Sequence, residues 1–194
     1  MSLLRTPGWT LPATLSLVAT VLYFLGLDAA LEFDRQDLTR GQWWRLLSGN
    51  LLHTNFNHLL LNVGGVWMMW LFHGAYYTRA NYLALLATNF LVVGCGIYLL
   101  NPETRWYVGL SGALHGLFVW GAIMDIKHKE KTGYWLLIGI LAKVAWEQTS
   151  GASATLAKFI DATVMVDAHL YGTLVGIVTA TLGWFIRYPF GSKP

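Results

Sequence analysis

Ser111, His169 and the pair His58 and Asn62 stand in stretches of the chain that otherwise carry no charge. A serine hydroxyl becomes a nucleophile when a neutral imidazole takes its proton, so Ser111 and His169 form a natural dyad for acyl transfer. Attack on a carbonyl creates an oxyanion that needs donors. Asn62 and His58, spaced i, i+4, share one helix face and can supply them. Backbone N–H groups at the start of the helix that holds Ser111 add more, at the positive end of its dipole, and Gly109 and Gly112 let a neighbour approach closely. No acidic third member is evident: Asp167 lies two residues from His169, on a different face, and is given no role.

Each residue also has a plainer reading. Ser111 could bond back to a helix carbonyl, His169 could be a satisfied core histidine, and His58 and Asn62 could tie helices together through hydrogen bonds. His115, at i+4 from Ser111, is an alternative base, but a deeper residue on the same helix points poorly at the hydroxyl. His53 reads as a structural histidine that orients the first loop. His73 and His128 read as solvated groups at the far ends of their helices. Lys143 and Glu147 are an i, i+4 pair in the less favourable order, read first as a snorkelling structural pair, with lining a mobile gate as the alternative.

The elements that must position these groups follow from composition. Of 194 residues, 55% are hydrophobic and 12% charged, about half the charged share of a soluble domain. Asp, Glu, Lys and Arg are absent from 6–27, 46–78, 80–102, 106–124 and 168–186. That pattern excludes a soluble enzyme, a disordered chain and an ordinary DNA-binding domain, and the single Cys95 excludes an internal disulfide. It predicts an all-α polytopic membrane protein, a six-transmembrane-helix bundle forming one domain over 1–194. The expected spans are 9–27, 55–72, 81–100, 107–124, the weaker 134–148 that holds Lys143 and Glu147, and 164–188. The first span is expected to be retained and not cleaved as a signal peptide. The loop from 28 to about 52 mixes charges with Trp43 and Trp44 and is expected to lie half-submerged in the headgroup layer.

Arg5, Lys127, Lys129, Lys131, Arg187 and Lys193 fall on one side of such a bundle, which makes both termini cytoplasmic; Arg35, Arg40 and Arg45 oppose that count from the interfacial loop. Spans two, four and six then enter from outside, with His58, Ser111 and His169 all on the order of 5 to 10 Å below the outer surface. Ala168, Gly172, Gly176 and Ala180 recur at intervals of four, and Gly112 and Gly116 match them on span four. Such spacings let membrane helices approach closely enough for a Ser–His hydrogen bond.

These residues resemble the rhomboid intramembrane serine proteases. The resemblance rests on Trp44-Arg45, on the run from His53 through His58 to Asn62, on Gly109-Leu110-Ser111-Gly112, and on Ala168-His169 followed by Gly172 and Gly176. It implies a rhomboid-like bundle with Ser111 as nucleophile, His169 as base, and His58, Asn62 and the Ser111 backbone N–H as the oxyanion hole. It also implies substrate access from lipid near spans two and five. Bacterial rhomboids usually carry an aromatic residue, stacked on the catalytic histidine, where this chain has His115. Its role is left open between stacking on His169 and fixing its tautomer. That form is similar to rhombosortase, a branch that processes proteins with a C-terminal Gly-Gly anchor signal. The resemblance implies a bacterial inner membrane enzyme with its site toward the periplasm and single-pass membrane proteins as substrates. The bilayer is its solvent, and no metal, cofactor or nucleic acid is expected. Hydrolysis or transfer to a second nucleophile both stay open. The competing classes are a general rhomboid protease, a non-catalytic rhomboid-like adaptor, and a metal or haem protein built on His53, His58, His115 and His169.

Overall fold

The computed structural model describes residues 8–187, with side chains through residue 183. Arg5, Tyr188 and Lys193 lie outside the described residues, as does the side chain of Arg187, so half of the charge count that set the expected orientation has no structural counterpart here.

The first helix, α1 (Thr10–Leu25), ends at Gly26, whose left-handed φ of 62° closes it. The loop that follows is built, not slack: α2 (Asp28–Leu31), a two-residue strand β1 (Phe33–Asp34), α3 (Arg35–Thr39), α4 (Arg45–Ser48) and a 3₁₀ turn over Gly49–Leu51. Next come α5 (Phe56–His73), α6 (Arg79–Leu100), the short strand β2 (Trp106–Tyr107), α7 (Ser111–Lys127), α8 (Thr132–Ser150), the short α9 (Ala154–Ile160) and α10 (Val166–Arg187). The long helices coincide with the six expected segments. The main shift in boundary is that α7 begins at Ser111 itself, not at 107, because 106–107 pair with β1. Among the described residues, α6 qualifies by its own length and composition to cross a membrane, with mean hydropathy 2.1 over its best stretch, and α1 is apolar but shorter. Several of the others carry the polar groups described below, which lower their apolarity. The outer surface is apolar: Phe24, Leu71, Leu99 and Trp135 are each at least 70% exposed. Such side chains on the outer faces of a helical bundle suit a lipid solvent and not water.

Two arginines hold the first loop. Arg45 is buried and donates to the carbonyls of Ala29 and Glu32 and to Gln42 Oε1, each at 2.8 Å. It also pairs with Asp37 at 2.9 Å. Three charge-assisted hydrogen bonds and an ion pair make this residue the loop's internal frame. Arg35 reaches the C-terminal end of α6, donating to the carbonyls of Ile97, Tyr98, Asn101 and Thr104 at 2.8–2.9 Å. These include carbonyls that a helix end leaves without intrahelical partners. Antiparallel pairing of Phe33 with Tyr107 and Asp34 with Trp106 then joins the loop to the approach of α7. Trp43 and Trp44 are about half exposed on its outer face, and the Trp44 indole N–H donates to the Ala30 carbonyl.

The α7–α10 contact is the tightest in the bundle. A Cβ on Gly172 would collide with the Gly112 carbonyl, and one on Gly176 with the Gly116 carbonyl. A Cβ on Gly112 would sit 2.9 Å from the Ala168 carbonyl oxygen. Backbone lies against backbone along this seam, which is what the four-residue spacing of small residues predicts.

His73 departs from expectation. It is fully buried, not solvated, with Nε2 at 3.3 Å from Asp125, whose other oxygen accepts from the Tyr76 hydroxyl at 2.8 Å. A polar knot of this kind closes the end of the bundle opposite Ser111. The reason is local: Gly121 on α7 leaves no side chain at that level, and the imidazole fills the space.

Candidate active site

Three helices begin at one end of the bundle with their first turns side by side. In α5, the Asn55 side chain caps the helix by accepting from the His58 N–H at 2.8 Å, which sets His58 in the first turn. In α7, Ser111 is the first residue, and no side chain caps the helix. In α10, His169 is the fourth residue. The Ser111 hydroxyl lies 2.9 Å from His169 Nε2. His169 is only 3% exposed.

His58 is buried beside them. Thr54 flanks its Nδ1, and its Cε1–Nε2 edge lies where a Cβ on Gly109 would be, at 3.0 Å. Gly109 has a φ of +134°, so both conformation and space there demand glycine. Its carbonyl accepts from the Tyr107 hydroxyl at 2.7 Å and its N–H donates to the Gly49 carbonyl at 3.1 Å, which fixes the turn into α7. Asn62, one turn below His58, is buried, and its amide nitrogen has no hydrogen-bond partner. A buried amide donor left free is costly unless something else uses it. His53 packs edge-on against His58, ring centroids 5.0 Å apart. Burial, aided by neighbouring His58, pushes its pKa down to about 3.

Ser111 faces two spaces. A cleft of about 410 Å³ runs over it, lined among others by Thr54, His58, Tyr107, Ile160 and Met165. A smaller space of about 200 Å³, walled by Leu114, His115, Phe118 and Ile140, lies between α7 and α8. The segment carrying Ile160 is fastened across the cleft by the Thr54 hydroxyl, which donates to the Ile160 carbonyl at 2.5 Å.

The sequence reading missed one member of this cluster. Glu147, near the C-terminal end of α8, is 6% exposed, and its Oε2 lies 2.8 Å from His169 Nδ1. An acidic partner of the imidazole is therefore present, and it comes from the segment whose charges were read as structural. Asp167 turns away and accepts from Asn101 Nδ2 at 2.5 Å. Lys143 donates to Glu147 Oε1 at 2.6 Å and approaches His115 Nε2 at 3.2 Å. His115 Nδ1 lies 2.7 Å from the Ser111 carbonyl, and its ring stacks on His169 at 4.1 Å between centroids with 18° between planes. His115 thus occupies the stacking position and does not face the serine hydroxyl as a base would.

These contacts fix the protons. An ammonium only donates and a carboxylate only accepts. His115 Nε2 therefore accepts from Lys143, and its Nδ1–H donates to the Ser111 carbonyl. His169 Nδ1–H donates to Glu147, which leaves Nε2 as the acceptor for the Ser111 hydroxyl. Ser111, His169, Glu147, Lys143 and His115 form a closed ring in which every donor meets an acceptor. His115, Glu147 and His169 have ligand-type atoms within 4.8 Å of one another. A divalent ion there would have to displace the Lys143 ammonium, a cation already seated among the same donors.

Residues 40–185 match the Rhomboid domain family. A protein of Bacillus subtilis (strain 168), YdcA, whose name marks it as a candidate rhomboid protease, is 29% identical over 145 residues, covering 75% of this chain and 69% of that protein.

Proposed function

Since the chain belongs to the rhomboid family, which is membrane-integral and acts on membrane-protein substrates within the bilayer, we propose that it is an intramembrane serine endopeptidase with Ser111 as nucleophile and His169 as base. The observation that carries this reading is the 2.9 Å approach of the Ser111 hydroxyl to His169 Nε2 beneath an open cleft. A substrate carbonyl entering the cleft is attacked by Ser111 Oγ while its proton passes to Nε2. Negative charge gathers on the carbonyl oxygen. The uncapped first turn of α7 offers the Ser111 N–H at the positive end of the dipole. His58 and the free Asn62 amide complete the hole from α5. His169 then returns its proton to the departing amine. The acyl group on Ser111 is released by water or taken by a second nucleophile admitted through the same cleft.

The finer reading is rhombosortase-like. The enzyme sits in the bacterial inner membrane as six spans, N-in and C-in, with Ser111 toward the periplasm, and removes the C-terminal Gly-Gly-type anchor of exported proteins. His115 in the stacking position supports that branch. A cleft bordered by Ile160, at the end of α9, and by Met165 suits a thin, small-residue backbone. The test is labelling by a fluorophosphonate, expected in the wild type and abolished in Ser111→Ala and His169→Ala. It is paired with intact mass of a Gly-Gly-anchored reporter co-expressed with each. Labelling that survives Ser111→Ala would sink the protease reading. A reporter left whole, beside cleavage of unrelated single-pass proteins, would assign a general rhomboid protease instead.

A further inference from the structure

A dyad needs its base to keep one tautomer and one orientation, and an imidazole held only by its target hydroxyl can flip. In this protein His169 is held from behind. Building on the serine protease reading, we infer that Glu147 is a positioning residue for His169, so that the centre works as a Ser111–His169–Glu147 triad, with Lys143 and His115 holding the carboxylate and the ring in place.

The argument rests on geometry. Glu147 Oε2 is 2.8 Å from Nδ1, the nitrogen that must keep its proton if Nε2 is to take one from Ser111. The carboxylate is nearly fully buried. A lone buried carboxylate would take up a proton and lose its value as an acceptor. Lys143 prevents this at 2.6 Å while its own side chain stays 47% exposed, so the balancing charge is not itself buried. The ammonium also reaches His115 Nε2, which fixes the tautomer of the ring stacked on His169. In the reaction one proton moves from Ser111 Oγ to Nε2 and later to the leaving amine. Glu147 neither gains nor loses a proton. It accepts the Nδ1–H bond throughout and faces the positive charge while the imidazolium lasts. The groups around His169 are thus Ser111 and His115 on α7, Glu147 and Lys143 on α8, and His58 on α5. The placement of Glu147 also means that α8, which donates no nucleophile, base or oxyanion donor, supplies part of the catalytic centre.

The test uses the full chain reconstituted in lipid. Glu147→Gln should lower the second-order rate of fluorophosphonate labelling roughly 10²- to 10⁴-fold, since an amide can present a donor to Nδ1 and favour the wrong tautomer. In ¹⁵N-histidine-labelled protein, a downfield Nδ1 proton resonance that is missing in His169→Ala should also be missing in Glu147→Gln and present in Ser111→Ala. A merely structural glutamate would leave that resonance unmoved. If Glu147→Gln fails to fold, Glu147→Asp keeps the charge but retracts it by one methylene, and should fold and label at least roughly tenfold more slowly. Wild-type labelling rates in a folded Gln or Asp variant, or a resonance that persists in Gln, overturn the inference. A wild-type protein that cannot be labelled defeats the protease reading, and the resonance still reports whether Glu147 holds His169.

Discussion

Replacing Gly172 with alanine drives a methyl group into the Gly112 carbonyl, one residue from Ser111. The neighbour is backbone and has no rotamer to escape into, so α7 and α10 must separate. Restoring a carbon–oxygen contact to roughly 3.3 Å needs a shift of more than about 1 Å there. Carried to the adjacent pair, that shift stretches the Ser111–His169 approach from 2.9 Å toward about 4 Å, past any hydrogen bond. A displacement of this size costs on the order of 10²-fold in rate. Gly112→Ala is the graded partner: its methyl would meet the Ala168 oxygen at 2.9 Å, relieved by roughly 0.4 Å, so about a tenfold loss is expected. Gly139→Ala on α8 meets nothing within 4 Å and serves as the control. It should label at the wild-type rate with stability raised by up to about 1 kcal/mol, the helix preference of alanine over glycine. The assay is the fluorophosphonate labelling rate beside the thermal midpoint. A folded Gly172→Ala protein that labels as fast as the wild type would refute the claim that this seam sets the Ser–His distance.

Removing the two proposed oxyanion donors separately should divide their roles. Asn62→Ala deletes a buried amide whose nitrogen has no partner at rest, so cleavage of a reporter should fall roughly 10²-fold in kcat with stability unchanged or slightly raised. Unchanged kcat removes Asn62 from the hole. His58→Ala should lose comparable rate, and some stability as well, because its ring packs on Gly109 and His53. Acid should act through His53, whose folded pKa of about 3 lies below its ordinary 6.5. An unfolded chain binds that proton first, so stability is full above about pH 6.5 and drains as pH falls toward 3, by roughly 3 kcal/mol at pH 4. His53→Gln should flatten the fall of the thermal midpoint between pH 6.5 and 4, and an unaltered slope would contradict the burial argument.

Much of this centre is legible along the chain because depth in a membrane helix is a matter of counting. Ser111, His58 and His169 fall at one level as soon as their segments are read as entering from one side, and the four-residue spacing of small residues says which two helices touch. Glu147 is harder to place because its segment does not begin at that level. Its helix ends there, and a residue one turn from the end of a segment is as deep as one a turn from the start of the next. The Lys143–Glu147 spacing looked like a self-contained surface pair, since nothing in the period of α8 tells which face meets α10. The mixed character of the first loop is plain from its charges and tryptophans. Its pairing of Phe33 with Tyr107 was invisible, because two-residue strands have no periodicity to detect. His73 was misjudged for want of its neighbour: only the packing of α5 on α7 reveals that a missing side chain at Gly121 makes room for an imidazole.

The grip of α8 on the rest of the molecule is thin, with Gly133, Val144 and Glu147 its buried residues. Little greasy surface is buried along it, and beside its packing on α7 it is tied in by the charged knot around His169. On the proposed mechanism, catalysis and the seating of this helix are coupled. Mild heat, a thinner bilayer or a wedge of detergent that nudges α8 outward should therefore silence the serine while the remaining helices stay assembled, with loss of fluorophosphonate labelling expected before collapse of the bundle.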